Sequence, residues 1–202
     1  MDSFFARMQP WRKPEGSLHL YVLPGDDISD RFAEAQASIA GIERLPLMPG
    51  PYLHCTLQRL AEFDDEVAQQ DFTRLGDALG AALSEVSAFD LIFGRPEPGE
   101  VAVEVWAEPS QAWDALLETS RRAVTQAWAS ALPAPPVAPH LSLAYATGAV
   151  DHAEVAARLA DTEPLGVMRV GALHLVSVTV RPERGTFDFT SLANWDLAPA
   201  TR

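Results

Sequence analysis

The sequence predicts an α+β fold of two duplicated β-α-β-α-β lobes facing a central cleft. Hydrophobic periodicity switches repeatedly between the two-residue spacing of strands and the three-to-four-residue spacing of helices. The resulting order of strand, helix, strand, helix, strand is performed twice. Two closely similar segments, His54-Cys55-Thr56-Leu57 and His140-Leu141-Ser142-Leu143, occupy the same station of each half. One domain is expected over residues 1–202, with pseudo-repeat lobes at approximately 17–95 and 100–181.

A frayed N-terminus is expected before a strand from Leu18 to Leu23. Pro24-Gly25-Asp26-Asp27 then caps a helix with apolar positions Ile28, Phe32, Ala35, Ile39 and Ile42. The proline-rich loop Leu45 to Pro51 leads into a strand from Leu53 to Leu60. Asp64 or Asp65 opens a second helix carrying Val67, Phe72, Leu75, Leu79 and Leu83. A strand from Phe89 to Phe93 and a turn from Gly94 to Gly99 close the first half.

The second half starts with a strand from Val101 to Trp106 and a helix capped by Ser110, with Trp113, Leu117, Val124 and Trp128 on its apolar side. Pro133 to Pro139 holds four prolines and cannot continue that helix. A strand from His140 to Ala146, a short helix from Asp151 to about Leu159 and a long strand from Arg169 to Val180 follow. The turn Pro182 to Gly185 begins the tail.

Composition narrows the classes of function. The chain has a formal net charge of −13, a field that repels extended nucleic acid, whereas a few cleft arginines can still hold a small anion. There is no apolar run of membrane-spanning length and no secretory h-region, so a cytoplasmic protein without a membrane partner is expected. The single cysteine, Cys55, rules out an internal disulfide and falls on the apolar side of its strand. No H-x-H, H-E-x-x-H, C-x-x-C, G-x-S-x-G, P-loop or G-x-G-x-x-G spacing is present, so no metal and no cofactor is expected.

The chemistry therefore falls to the two His-x-hydroxyl-Leu segments. On a strand, residues i and i+2 share a face, so each segment presents an imidazole beside a hydroxyl. One such segment is commonplace, since strand histidines usually make a structural hydrogen bond. Two copies at equivalent stations form a pair that suits in-line chemistry at a phosphate, with one histidine as base and the other as acid. His54 and His140 are the catalytic candidates, and Thr56 and Ser142 the phosphate-binding ones.

Further candidate substrate contacts are His19 and Tyr21, which alternate on the first strand, and Gln58, which continues the His54–Thr56 face. Arg59 points the other way unless its strand bulges, and Tyr145 falls in phase with Leu141 and Leu143 on the core side. Tyr21, Tyr52 and Trp106 offer flat surfaces for a base, although aromatic residues on strands commonly serve as core.

The paired segments resemble the H-x-[ST]-hydrophobic motifs of the two-histidine (2H) phosphoesterase superfamily, in particular its bacterial LigT-like branch of 2′-5′ RNA ligases. The resemblance runs from about Leu18 to Val180. It implies a bilobal α+β fold with antiparallel-type sheets around the cleft, and metal-free chemistry on phosphodiesters by His54 and His140. The expected partner is a small nucleotide or an RNA-terminal cyclic phosphate, hydrolysed as a 2′,3′-cyclic phosphodiester. Alternatives are a 2′-5′ RNA ligase or end-processing enzyme, and a nucleotide-binding protein without turnover.

Overall fold

The structure is a computed structural model that describes residues 1–128, 131–136 and 138–199. A first sheet has the order β2 (Cys55–Phe63), β1 (Ser17–Val22), β8 (Ala172–Arg181) and β9 (Thr186–Asp196), all antiparallel. A second layer contains β3 (Phe89–Phe93) paired with β7 (Gly166–Val170), and β5 (Ala102–Trp106) between β4 (Glu97–Pro98) and β6 (His140–Tyr145). A Phe93–Ala107 bridge, flanked by bonds from Gly94 N–H to the Trp106 carbonyl and Glu108 N–H to the Ile92 carbonyl, joins these pieces.

Four helices close the outer faces. Helices α3 (Gln69–Leu83) and α4 (Gln111–Ala127) pack on each other and against the first sheet, through β9 and β2 respectively. Helices α2 (Asp26–Ile39) and α5 (His152–Leu159) pack on each other and on the second layer. Periodicity places them correctly: Ile28, Phe32, Ala35 and Ile39 form the buried stripe of α2, and Leu75, Leu79 and Leu83 that of α3. Ser110 caps α4 by accepting from Trp113 N–H, and Asp151 caps α5 by accepting from Ala153 N–H.

The two halves of the chain are interleaved. Strand β8, from the second half, pairs with β1, while β3, from the first half, pairs with β7. Sheet membership therefore crosses the expected boundary near residues 95–100. The switch point is Gly171, which divides the anticipated single strand Arg169–Val180 into β7 and β8 in different sheets.

Other differences are local. The helix expected from Asp64 or Asp65 is preceded by a 3-10 turn, Asp64–Glu66, and α3 begins at Gln69. Strand β9 lies beyond the elements that periodicity predicts; its Phe187 and Phe189 alternate toward one face, whereas its distal half is largely polar or exposed. The N-terminus is ordered against the protein. Asp2 N–H donates to the Glu100 carbonyl and Phe4 N–H to the Ala146 carbonyl, and the segment continues into a short helix α1 (Phe4–Arg7). None of the helices among the described residues is long and apolar enough to cross a membrane.

Candidate active site

Each motif enters its strand from a proline-rich loop. Pro49-Gly50-Pro51-Tyr52 ends in a 3-10 turn, Gly50–Tyr52, and His54 stands immediately before β2 rather than within it. The same loop lies on the other motif's strand: Met48 N–H and the Gln36 side-chain amide both donate to the Leu143 carbonyl, at 2.7 and 3.0 Å. The Cys55 side chain lies beside the backbone of His140. Backbone contacts thus hold the motifs together across the cleft.

A cavity of about 230 Å³ opens between the sheets, lined by His54, Thr56 and His140 together with His19, Tyr21 and Tyr145. His54 Nδ1 donates to the Tyr52 carbonyl at 2.7 Å, and His140 Nδ1 donates to the Ala138 carbonyl at 3.0 Å. A carbonyl can only accept, so each bond assigns the Nδ1 proton and leaves Nε2 for proton transfer. Both imidazoles are oriented by the same device, a carbonyl two residues upstream.

The hydroxyls have matching neighbours. The Tyr21 hydroxyl lies beside Thr56, and the Tyr145 hydroxyl beside Ser142. Tyr21 stacks flat on His54, with ring centroids 4.0 Å apart. Tyr145 lines the cavity although it is in phase with Leu141 and Leu143, because the register shift between Val103 and Glu104 leaves Leu143 as an extra residue on β6 and turns Tyr145 to the Ser142 face, against Phe4 and Phe187.

Environment separates the two histidines. Burial, reinforced by the charge of His140, pushes His54 down to about 4, against the opposing pull of the Tyr52 carbonyl. His140 instead faces Glu104, whose side chain lines the cavity and whose strand position pairs with Ser142. Burial raises the Glu104 carboxyl, and the nearby His140 opposes that shift. Burial also lowers His19 to about 3 and raises Tyr145 to about 12.

A bulge decides which neighbours of Thr56 reach the cleft. Tyr21 pairs with Thr56 but Leu20 pairs with Gln58, leaving Leu57 as the extra residue on β2. Gln58 consequently shares the helix-facing side with Leu20. It is fully buried there, donates to the Arg59 and Pro133 carbonyls, and accepts from Arg121. Gln58 does not line the cavity; it pins the proline-rich connector to β2. Arg59 pairs with His19 instead, and its guanidinium lies 5.0 Å from the Trp11 ring centroid at the cavity edge.

Several lining residues carry no signal in the sequence. Phe4, Met8 and Trp11 come from the N-terminal segment, Phe187 from β9 and Pro136 from the connector. Glu104 is a lone acidic residue in an apolar strand, a feature that gains meaning only once β5 is paired with β6. Trp106 is 41% exposed, with its ring 4.7 Å from that of His140. Tyr52 packs against Phe189. Among the described residues, no group of three His, Cys, Asp or Glu side chains is placed to hold a metal ion.

The fold recurs in solved structures. TT0787 of Thermus thermophilus is 20% identical over 92% of this chain and 100% of its own, with a TM-score of 0.69. E. coli LigT in its apo form is 19% identical over 91% of this chain and 98% of its own, with a TM-score of 0.64. The E. coli LigT complex with 3′-AMP is 18% identical over 91% and 99%, with a TM-score of 0.67. No curated protein matches the sequence. The 2′-5′ RNA ligase superfamily profile matches residues 24–181, the span that carries both histidine motifs, and the chain belongs to that superfamily.

Proposed function

We propose that the protein is a phosphodiesterase that opens 2′,3′-cyclic phosphates by acid–base catalysis between His54 and His140. Family membership supports phosphoesterase-type chemistry. The observation that carries the finer reading is the mirrored pair of dyads, His54–Thr56 and His140–Ser142, each with Nδ1 tied to a carbonyl and its hydroxyl beside a tyrosine. E. coli LigT has been solved with 3′-AMP and with phosphate, which favours a nucleotide phosphate as the ligand class here too.

His54 is the base, because burial keeps its Nε2 lone pair unprotonated at neutral pH. His140 is the acid, the role left once the buried His54 takes the base's, and the Glu104 side chain shares its cavity wall. Nε2 of His54 takes a proton from water as the water oxygen bonds to phosphorus. The phosphorus bond to one ribose oxygen breaks, and Nε2–H of His140 protonates that oxygen. Thr56 and Ser142 donate to the non-bridging oxygens, where negative charge grows. The product is a ribose phosphomonoester, and both histidines regain their starting states by exchanging one proton with solvent.

Incubating the protein with each 2′,3′-cyclic nucleoside monophosphate and separating the products chromatographically tests this. Phosphomonoester formation that persists in excess chelator and disappears in His54→Ala supports the reaction. No product from any of them, or activity that requires added metal, overturns it.

A further inference from the structure

The segment before β1 spans the two layers like a strap. It begins on the second layer, with Asp2 and Phe4 bonded to the Glu100 and Ala146 carbonyls and Arg7 paired with Glu100 at 2.9 Å. It ends on the first, where Arg12 pairs with Glu66 at 2.8 Å, Lys13 pairs with Asp65 at 2.7 Å, and the Pro14 carbonyl accepts from Val180 N–H. Gly16 turns the strap into β1 at φ +84°, with the Asp64 carboxylate where a side chain would sit.

Between its anchors the strap turns Phe4, Met8 and Trp11 into the catalytic cavity. The Phe4 ring lies 4.4 Å from Tyr145, and Trp11 lies 5.2 Å from His19. These contacts put apolar walls in the cavity that His54, Thr56 and His140 line. The cavity, about 230 Å³ and open to solvent, is below the range of roughly 300–1,000 Å³ usual for sites that engulf a drug-sized ligand, so part of any nucleotide bound here lies outside it.

Building on the phosphodiesterase reading, we propose that the strap is the size-selecting element of this site. Phe4, Met8 and Trp11 admit a mononucleoside cyclic phosphate and exclude the cyclic-phosphate end of an RNA strand. The acidic net charge of −13 acts in the same direction, since it disfavours a polyanion more than a single phosphate. Beside the backbone bonds at its ends, the strap's side-chain tethers are exposed ion pairs, which contribute little each. Its selectivity therefore comes from the packed rings, and loosening the tethers should weaken it.

The test compares a 2′,3′-cyclic mononucleotide with a pentaribonucleotide ending in the same cyclic phosphate. Turnover is read as kcat/KM, and calorimetric affinity is measured for the corresponding 3′-phosphates. The wild type should favour the mononucleotide by tenfold or more in both readouts. Phe4→Ala/Trp11→Ala should cut that ratio at least tenfold, chiefly by improving the oligonucleotide. Arg7→Ala/Arg12→Ala/Lys13→Ala, which leaves the lining side chains intact, should move it the same way by a smaller factor and serves if the double variant unfolds. A wild type that handles both sizes equally, or variants that lose both in proportion, overturns the strap's role. Size-selective binding without turnover would support the strap while refuting the hydrolase reading.

Discussion

The ring of Tyr21 stacks on that of His54, 8° from parallel with 4.0 Å between centroids, and its hydroxyl lies beside Thr56. One side chain thus fixes the plane of the imidazole and borders the neighbouring hydroxyl. Tyr21→Phe keeps the stack and removes the polar contact. Such a contact is worth at most a net hydrogen bond, about 0.5–1.5 kcal/mol, so kcat should fall by no more than roughly tenfold with little change in stability. Tyr21→Ala removes both restraints and should cost more. Steady-state kinetics on a cyclic nucleotide check the order, and a Tyr21→Phe enzyme as impaired as Tyr21→Ala would show the stack to be irrelevant.

Replacing either histidine should be severe. General acid–base catalysis contributes about 10²–10⁴-fold, so His54→Ala and His140→Ala should each lower kcat by that order. Because the two act on one proton inventory, the double variant should lose little more than either single one. Circular dichroism should show the fold retained, since both rings lie on the cavity wall. A single variant with near-normal turnover would remove that residue from the chemistry.

Much of this site is legible in the sequence because its key pattern is local. His-x-Thr and His-x-Ser on strands place imidazole and hydroxyl side by side under any strand pairing, and the preceding prolines mark where each strand begins. Gln58 and Arg59 show where the alternation rule fails. One extra residue at Leu57 exchanges their faces, and a bulge leaves no signature in a single sequence. Helix stripes such as Ile28, Phe32, Ala35 and Ile39 are readable, yet the layer that each helix covers is not, since that depends on the crossover at Gly171. The strap reads as frayed because Met1 to Gly16 has little periodicity; it is ordered by backbone bonds to Glu100 and Ala146 and by ion pairs to residues distant along the chain.

Glu104 is the carboxyl that shares the cavity wall with His140. His19, Tyr21, His54, Glu104 and Tyr145 are the titratable groups that line the cavity with it. Glu104→Gln removes a carboxyl whose burial shift His140 opposes, so the pH profile of kcat should change shape, with turnover at pH 8 and at pH 6 falling by different factors. Glu104→Asp should restore part of the wild-type profile, which a purely packing role would not require. A uniform loss at every pH would place Glu104 outside proton transfer.

Acid should destabilise the fold through its buried imidazoles. His19 and His54 are lowered to about 3 and about 4 when folded, chiefly by burial, whereas an ordinary histidine titrates near 6.5. Their sign is therefore that of a depressed group: the stabilisation is complete above about pH 6.5 and declines as pH falls toward the folded values, because the unfolded chain binds protons that the native state refuses. Each contributes a slope of roughly 1.4 kcal/mol per pH unit within that window. His19→Phe keeps a ring against Trp11 and Tyr21 but cannot titrate. Urea unfolding at pH 6.5 and pH 5 should then show the wild type losing roughly 2 kcal/mol more than the variant across that interval. Parallel losses in the two proteins would mean that His19 takes up its proton in the native state, and that the cavity is wetter than its burial implies.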